Sequence, residues 1–215
     1  MTATTRAGRL LLTEAAALLP ILRATPQADF DRDTLLPGWS VRDVLAHCAA
    51  ALGMAVTGSF HTFSPADNQR DVDARAGLPL DELLDELAGA YAGAAAAMDA
   101  AGGRMDGLAL GEWVHGGDVR HALGRPGAYA SDGVDDALAL LVARSVERGA
   151  PATTLTLTGP GEGERELAFG RADDEVSARL RTDTATLVRL CAGRSPDPAA
   201  FELTGAAPQE YLLFT

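Results

Sequence analysis

Gly111-Glu112-Trp113-Val114-His115-Gly116-Gly117-Asp118-Val119-Arg120-His121 sets five ionisable side chains among residues that otherwise read as buried helix. Residues three apart on a helix lie about 60° apart around its axis. Glu112 and His115 therefore share a face, and so do His115 and Asp118, each pair within reach of one ion. Helix bundles build metal sites this way, with a carboxylate and a histidine on one helix and a further ligand on a facing helix. The stretch is read as the centre of a helix from Leu108 to Leu123, stopped by Gly124 and Pro126.

The facing ligand has to come from the remaining histidines, and the chain has only four in all. His61 lies fourteen residues beyond His47. That is roughly 21 Å along one continuous helix, too far to share an ion. His61 is expected exposed at a frayed helix end. His121 is six residues from His115, about 120° around the axis and near a helix C-terminus, where an imidazolium is favoured. His47, on a helix that is apolar all round, is the best partner of Glu112 and His115. Imidazole plus carboxylate suits Zn2+ with one position open, and Fe2+, Mn2+ or Ni2+ would accept the same ligands. The competing reading is an ordinary buried polar network of hydrogen-bonded core histidines. Asp118 is read as a supporting group that accepts from Arg120 or from His47, with a fourth-ligand role as the alternative.

Composition bounds the rest. A chain of 215 residues is one large domain or two small ones. The net charge of −12 leaves no basic footprint for nucleic acid or for an anionic membrane. The two cysteines, Cys48 and Cys191, lie far apart in predicted helices, which fits a reducing cytoplasm better than a disulfide scaffold. Cys48 is read as a small buried thiol rather than a nucleophile. No secretory signal or membrane-spanning run is apparent.

Along the chain, residues 5–24 read as a first helix that Pro20 should kink or end early. Residues 28–38 read as a connector. Ser40-Val41-Arg42-Asp43 resembles a capping box and starts a helix from Val41 to about Thr57. Ser64 to Gly77 is polar and aperiodic, so it is expected to be a loop, long enough for a lid. Asp81 to Ala100 and Asp132 to Arg148 are further helices, the second with Leu138, Leu141, Val142 and Val146 inward. At Ala150 the character changes. Thr153 to Gly159 alternates with period two and reads as a strand. Glu164–Phe169 and Glu175–Arg181 follow as strands, with Val176, Ala178 and Leu180 on one face. Gly159 to Gly163 reads as a hairpin loop. A helix over Asp183–Ala192 capped by Thr182, a strand over Phe201–Thr204 and a short helix over Pro208–Phe214 complete an α+β chain. Its expected domains are a helical bundle over 1–149 and a small α/β unit over 150–215.

Pro37-Gly38-Trp39-Ser40-Val41-Arg42-Asp43-Val44-Leu45-Ala46-His47 resembles the signature that opens the second helix of the mycothiol-dependent maleylpyruvate isomerase family. Glu112-Trp113-Val114-His115-Gly116-Gly117-Asp118 resembles that family's second signature, and Leu190 to Arg194 is similar to its C-terminal unit. The resemblance spans nearly the whole chain. It implies a DinB-like four-helix bundle followed by a small, sterol-carrier-like α/β domain. It implies Zn2+ on His47, Glu112 and His115. In some relatives the glutamate stands four residues before the histidine, where this chain has Gly111. It also implies mycothiol or a similar thiol as cosubstrate. The thiol would be activated as a metal-bound thiolate for S-transfer to, or isomerisation of, an electrophilic small molecule. Asp118 and Arg194 are the candidate catalytic residues. Arg194 would anchor a substrate carboxylate, its alternative being a surface salt bridge. The other readings are a non-catalytic metal-containing binding or regulatory module, and a metal-free helical interaction protein. A monomer or homodimer is expected.

Overall fold

The computed structural model describes residues 4–159, 163–171 and 175–214. Helices α1 (Arg6–Arg23), α2 (Val41–Thr57), α3 (Pro65–Asp73), α4 (Leu80–Ala101), α5 (Asp106–Ala122) and α6 (Val134–Glu147) come first. Strands β1 (Thr153–Gly159), β2 (Gly163–Phe169) and β3 (Ala178–Thr182), helix α7 (Thr184–Cys191) and strand β4 (Phe201–Thr204) follow. The fold is α+β. Two compact units divide the chain, Met1–Ala137 and Leu138–Thr215. The division falls inside α6, which runs unbroken from Val134 to Glu147, ahead of the change of character at Ala150.

In the first unit α4 packs on α1 and α2, and α5 packs on the same two helices. Leucine and alanine fill the shared core, with Leu11, Leu18, Leu45, Leu52 and Leu87 all sealed from solvent. The start of α2 is fixed by its cap. The Ser40 hydroxyl accepts the Asp43 N–H, and Asp43 Oδ2 accepts the Ser40 N–H at 2.9 Å. Both otherwise unpaired donors are satisfied, so the register of the helix carrying His47 is set one turn before it. The helix ends where Gly58 takes the left-handed conformation, φ 72°.

Two expectations for this unit need correction. Helix α1 does not end at Pro20 but continues to Arg23. Proline removes the bond to the carbonyl four residues back. Here Ala16 and Pro20 both lie on the exposed side, where water can serve that carbonyl. Residues 64–77 are not a plain loop either, since α3 lies within them. Ser64 Oγ accepts the Asp67 N–H at 3.2 Å and Pro65 occupies the first helical position, a strong start signal. Val72 is the single buried residue of α3, which is why no apolar period shows in the sequence.

The second unit carries a four-stranded sheet in the order β2-β1-β3-β4. β1 pairs antiparallel with β2 and parallel with β3, and β3 pairs antiparallel with β4. Leu155, Leu157, Ala178 and Leu180 point into the core, joined by Leu187 and Val188 of α7. The stretch expected to extend as a strand from Glu175 begins only at Ala178, leaving Val176 exposed. The cap of α7 is Asp183, not Thr182: its carboxylate accepts the Thr186 N–H at 2.8 Å. Val146, expected inward, is also exposed, in the last turn of α6. The centre of the predicted hairpin loop, residues 160–162, lies outside the described residues, though Gly159 and Gly163 pair across it. No helix is long and apolar enough to cross a membrane among the described residues.

Candidate metal centre

Helices α2 and α5 are in contact, and each presents one histidine to the other. The His47 and His115 rings stand 5.2 Å apart, edge to face at 83°. His47 is buried, and its other flank is closed by the Trp39 ring at 5.2 Å. Trp39 is itself tethered by a hydrogen bond from Nε1 to Gln69 Oε1 of α3 at 3.0 Å. Burial, followed by the proximity of His115 and His61, pushes the His47 pKa down to about 3. The imidazole is therefore neutral at physiological pH, the form that can donate a lone pair.

Glu112 lies on the same face of α5 as His115 and is 1% exposed. Burial raises its pKa to about 8, a rise opposed by a hydrogen bond with Cys48 and reinforced by the nearby Glu14 charge. Cys48 is buried, and burial with the adjoining carboxylate pushes its thiol well above the ordinary range. A thiol so buried beside a carboxylate is a poor nucleophile at neutral pH. A carboxyl raised from 4.5 to about 8 in the fold contributes stability fully present below about 4.5 and lost as pH rises through about 8. The thermal midpoint of chelator-treated protein is expected to fall across that window. A smaller fall in Glu112→Gln would assign it to this group; equal falls would not.

Asp118 is sealed from solvent, where it accepts the Tyr129 hydroxyl at 2.6 Å. Its Oδ2 lies 3.5 Å from His115 Nδ1, an ion-pair distance outside hydrogen-bond geometry. His121 is exposed at the end of α5, as its spacing suggested. His61 is beyond the end of α2 and half-buried rather than exposed. Its Nε2 meets Asp71 Oδ2 at 2.8 Å and its Nδ1 accepts the Phe63 N–H at 3.0 Å. Both ring nitrogens are thereby used, which takes His61 out of any ligand set. Arg194 lies in the second unit, where its Nη1 donates to the Ala192 carbonyl at 2.7 Å. A cleft of about 390 Å3 lined by Gln27, Phe30, Asp31, Arg42 and Leu80 contains none of the candidate residues.

Beneath the histidines sits a buried network that the sequence reading missed. Arg120 grips Glu14 of α1 through Nη1 at 2.6 Å and Nη2 at 3.2 Å. Its Nε donates to the Ala128 carbonyl at 2.8 Å. Ser131 Oγ donates to Glu14 at 3.2 Å and receives Trp113 Nε1 at 2.8 Å. Burial pushes the Glu14 carboxyl upward, against the pull of the guanidinium. A Cβ at Gly116 would collide with the Glu14 carboxylate, and one at Gly117 with the Tyr129 ring. The paired glycines are thus required by close approach. The overlooked signal was Glu14 itself, set on the stripe of Leu11 and Leu18 where a core residue belongs.

Among the described residues, no three or more His, Cys, Asp or Glu side chains form a ready metal cage. The donor chemistry nevertheless fits a cation. His47 Nδ1, Glu112 Oε2 and His115 Nδ1 are buried polar atoms with no hydrogen-bond partner. Such atoms are costly in a folded core unless something satisfies them.

Residues 11–125 match the family profile described as the mycothiol maleylpyruvate isomerase N-terminal domain. The chain belongs to this isomerase family. Two solved structures are similar over its length, a mycothiol-dependent maleylpyruvate isomerase and a histidine-to-alanine mutant of it. The first is 19% identical and the second 18%, each with a TM-score of 0.53 over 94% of this chain and 93% of that chain. At that identity the likeness establishes a shared fold. No curated protein matches the chain. The family match covers all of α2 and α5, so His47, Glu112, His115 and Asp118 all fall inside it.

Proposed function

We propose that this family member is a metal-dependent enzyme that uses a low-molecular-weight thiol such as mycothiol. It isomerises, or transfers sulfur to, an electrophilic small molecule of the maleylpyruvate type. The observation that carries the reading is the facing pair of buried His47 and half-buried His115 with Glu112 on the same helix face as His115, each with a buried polar atom lacking a partner. His47, Glu112 and His115 would hold the metal, Zn2+ suiting two imidazoles and one carboxylate. A divalent cation held there lowers the pKa of a thiol that reaches it, so the thiol is nucleophilic near neutral pH. His47 enters neutral and loses no proton on binding. Glu112, held protonated by burial below about 8, would have to release its proton to serve as a ligand, so metal uptake would weaken as pH falls. Asp118 faces His115 Nδ1 and orients that ring. Two buried, unpaired cysteines support a reducing cytoplasmic setting.

The test is metal analysis of the purified protein followed by assay of mycothiol with maleylpyruvate. About one Zn2+ per chain and thiol-dependent turnover support the reading; no divalent metal with full metal supplied sinks it. Arg194 is proposed as the anchor of the substrate carboxylate. Arg194→Ala is expected to raise KM for an acidic substrate several-fold with little change in kcat, and unchanged kinetics would remove it from the site. One feature favours a second reading, a non-catalytic metal-containing binding or regulatory module. The donors are occluded, with Glu112 1% exposed and hydrogen-bonded to Cys48, and His47 buried as well. Metal binding without thiol-dependent turnover would select that alternative.

A further inference from the structure

Tyr129 stands outside every helix, between α5 and α6, yet it is 1% exposed. Loop side chains are rarely so buried without a partner that needs them. The partner is Asp118, whose Oδ1 receives the phenol at 2.6 Å. Everything around Tyr129 fixes where that hydroxyl goes. Its ring fills the space left by the absent Cβ of Gly117 and meets the Trp113 ring edge to face at 6.4 Å. On one side of it, the Ala128 carbonyl is tied by Arg120 Nε at 2.8 Å. On the other, Ser131 is tied to Glu14 at 3.2 Å and to Trp113 at 2.8 Å. The segment is thus pinned before and after the tyrosine, by a guanidinium that Glu14 holds in place at 2.6 Å.

An ionised carboxylate can only accept, and its two oxygens point apart. With Oδ1 committed to Tyr129, Oδ2 is turned to His115 Nδ1, 3.5 Å away. We propose that Tyr129 is a positioning residue for His115. It acts through Asp118, holding the carboxylate 3.5 Å from the imidazole Nδ1 so that the charge beside the ring fixes its orientation in the centre. The proposal rests on the metal-centre reading above. Groups that orient a metal-bound histidine typically govern metal affinity as well as ring placement. A purely structural tyrosine would hold the loop down and do neither.

The experiment is Tyr129→Phe, which removes the hydroxyl and keeps the ring on Gly117. Two quantities are read: the Zn2+ dissociation constant, by competition with a chromophoric chelator, and the His115 side-chain 15N shifts in chelator-treated protein. We expect Zn2+ affinity about tenfold weaker and displaced His115 signals. The double variant Tyr129→Phe/Asp118→Asn should be no weaker than Asp118→Asn alone. A lowered thermal midpoint with wild-type Zn2+ affinity and unmoved His115 signals would overturn the proposal. Wild-type protein that binds no Zn2+ would defeat the metal-centre reading instead. In that case the His115 shifts still decide, since displacement supports the Tyr129–His115 link and constancy rejects it. If Tyr129→Phe does not fold, 3-fluorotyrosine at position 129 keeps the hydroxyl, alters its donor strength and is read in the same two ways.

Discussion

Replacing His115 with alanine is expected to leave the protein folded and almost without metal. The ring is 14% exposed and its Nδ1 makes no hydrogen bond, so its loss forfeits little cohesion. The loss to the ion is of another order. His47 and Glu112 alone are two donors, and a catalytic zinc site is built on three. Removal of an outer partner already costs roughly 10–100-fold in affinity, so removal of a ligand should exceed that. His47→Ala is expected to do the same. Its ring is also packed against Trp39, at 5.2 Å, so some stability goes with it. His61→Ala and His121→Ala are the controls and should retain full metal. The check is metal content per chain after gel filtration against a weak chelator. Full metal in both His47→Ala and His115→Ala would defeat the assignment.

The second large effect concerns stability. Arg120→Met should destabilise the fold by about 3–5 kcal/mol, because it leaves Glu14 buried and unpaired. Glu14 is fully enclosed and Arg120 nearly so, and the pair joins α1 to α5. A buried ion pair is weak evidence for stability in itself, since desolvation offsets most of the attraction. The double variant Glu14→Leu/Arg120→Met should therefore recover most of the loss, which urea denaturation at constant m would show. A single-variant cost below about 1 kcal/mol would mean that Glu14 takes up a proton once its partner is gone.

What could be read from the sequence followed how local the controlling interaction is. The cap at Ser40 and Asp43 is three residues wide, and α2 begins and ends where the sequence places it. Glu112 and His115 share a helical turn, so their common face follows from spacing alone. The alternation of β1 showed its strand bounds. The misses were non-local or weakly buried. Arg120 looks like a surface residue near a helix end, yet its partner Glu14 is 106 positions away. Tyr129 lies in a segment with no periodicity, and only the folded chain shows that Gly117 makes room for it. Helix α3 buries one side chain, so the hydrophobic pattern had nothing to detect. Pro20 predicts a kink or an early end because sequence alone does not say which side of a helix meets water, yet the helix runs to Arg23 as the 5–24 span requires.

The placement of Trp39 gives the molecule an optical probe of its own. The chain has two tryptophans. Trp113 is buried in the core, whereas Trp39 is half-buried with its ring 5.2 Å from His47. Indole emission responds to charge and polarity at its face, and a cation on the neighbouring imidazole changes both. With Trp113 replaced by phenylalanine, the remaining fluorescence would come from Trp39 and follow occupancy of the centre in real time, with no added dye.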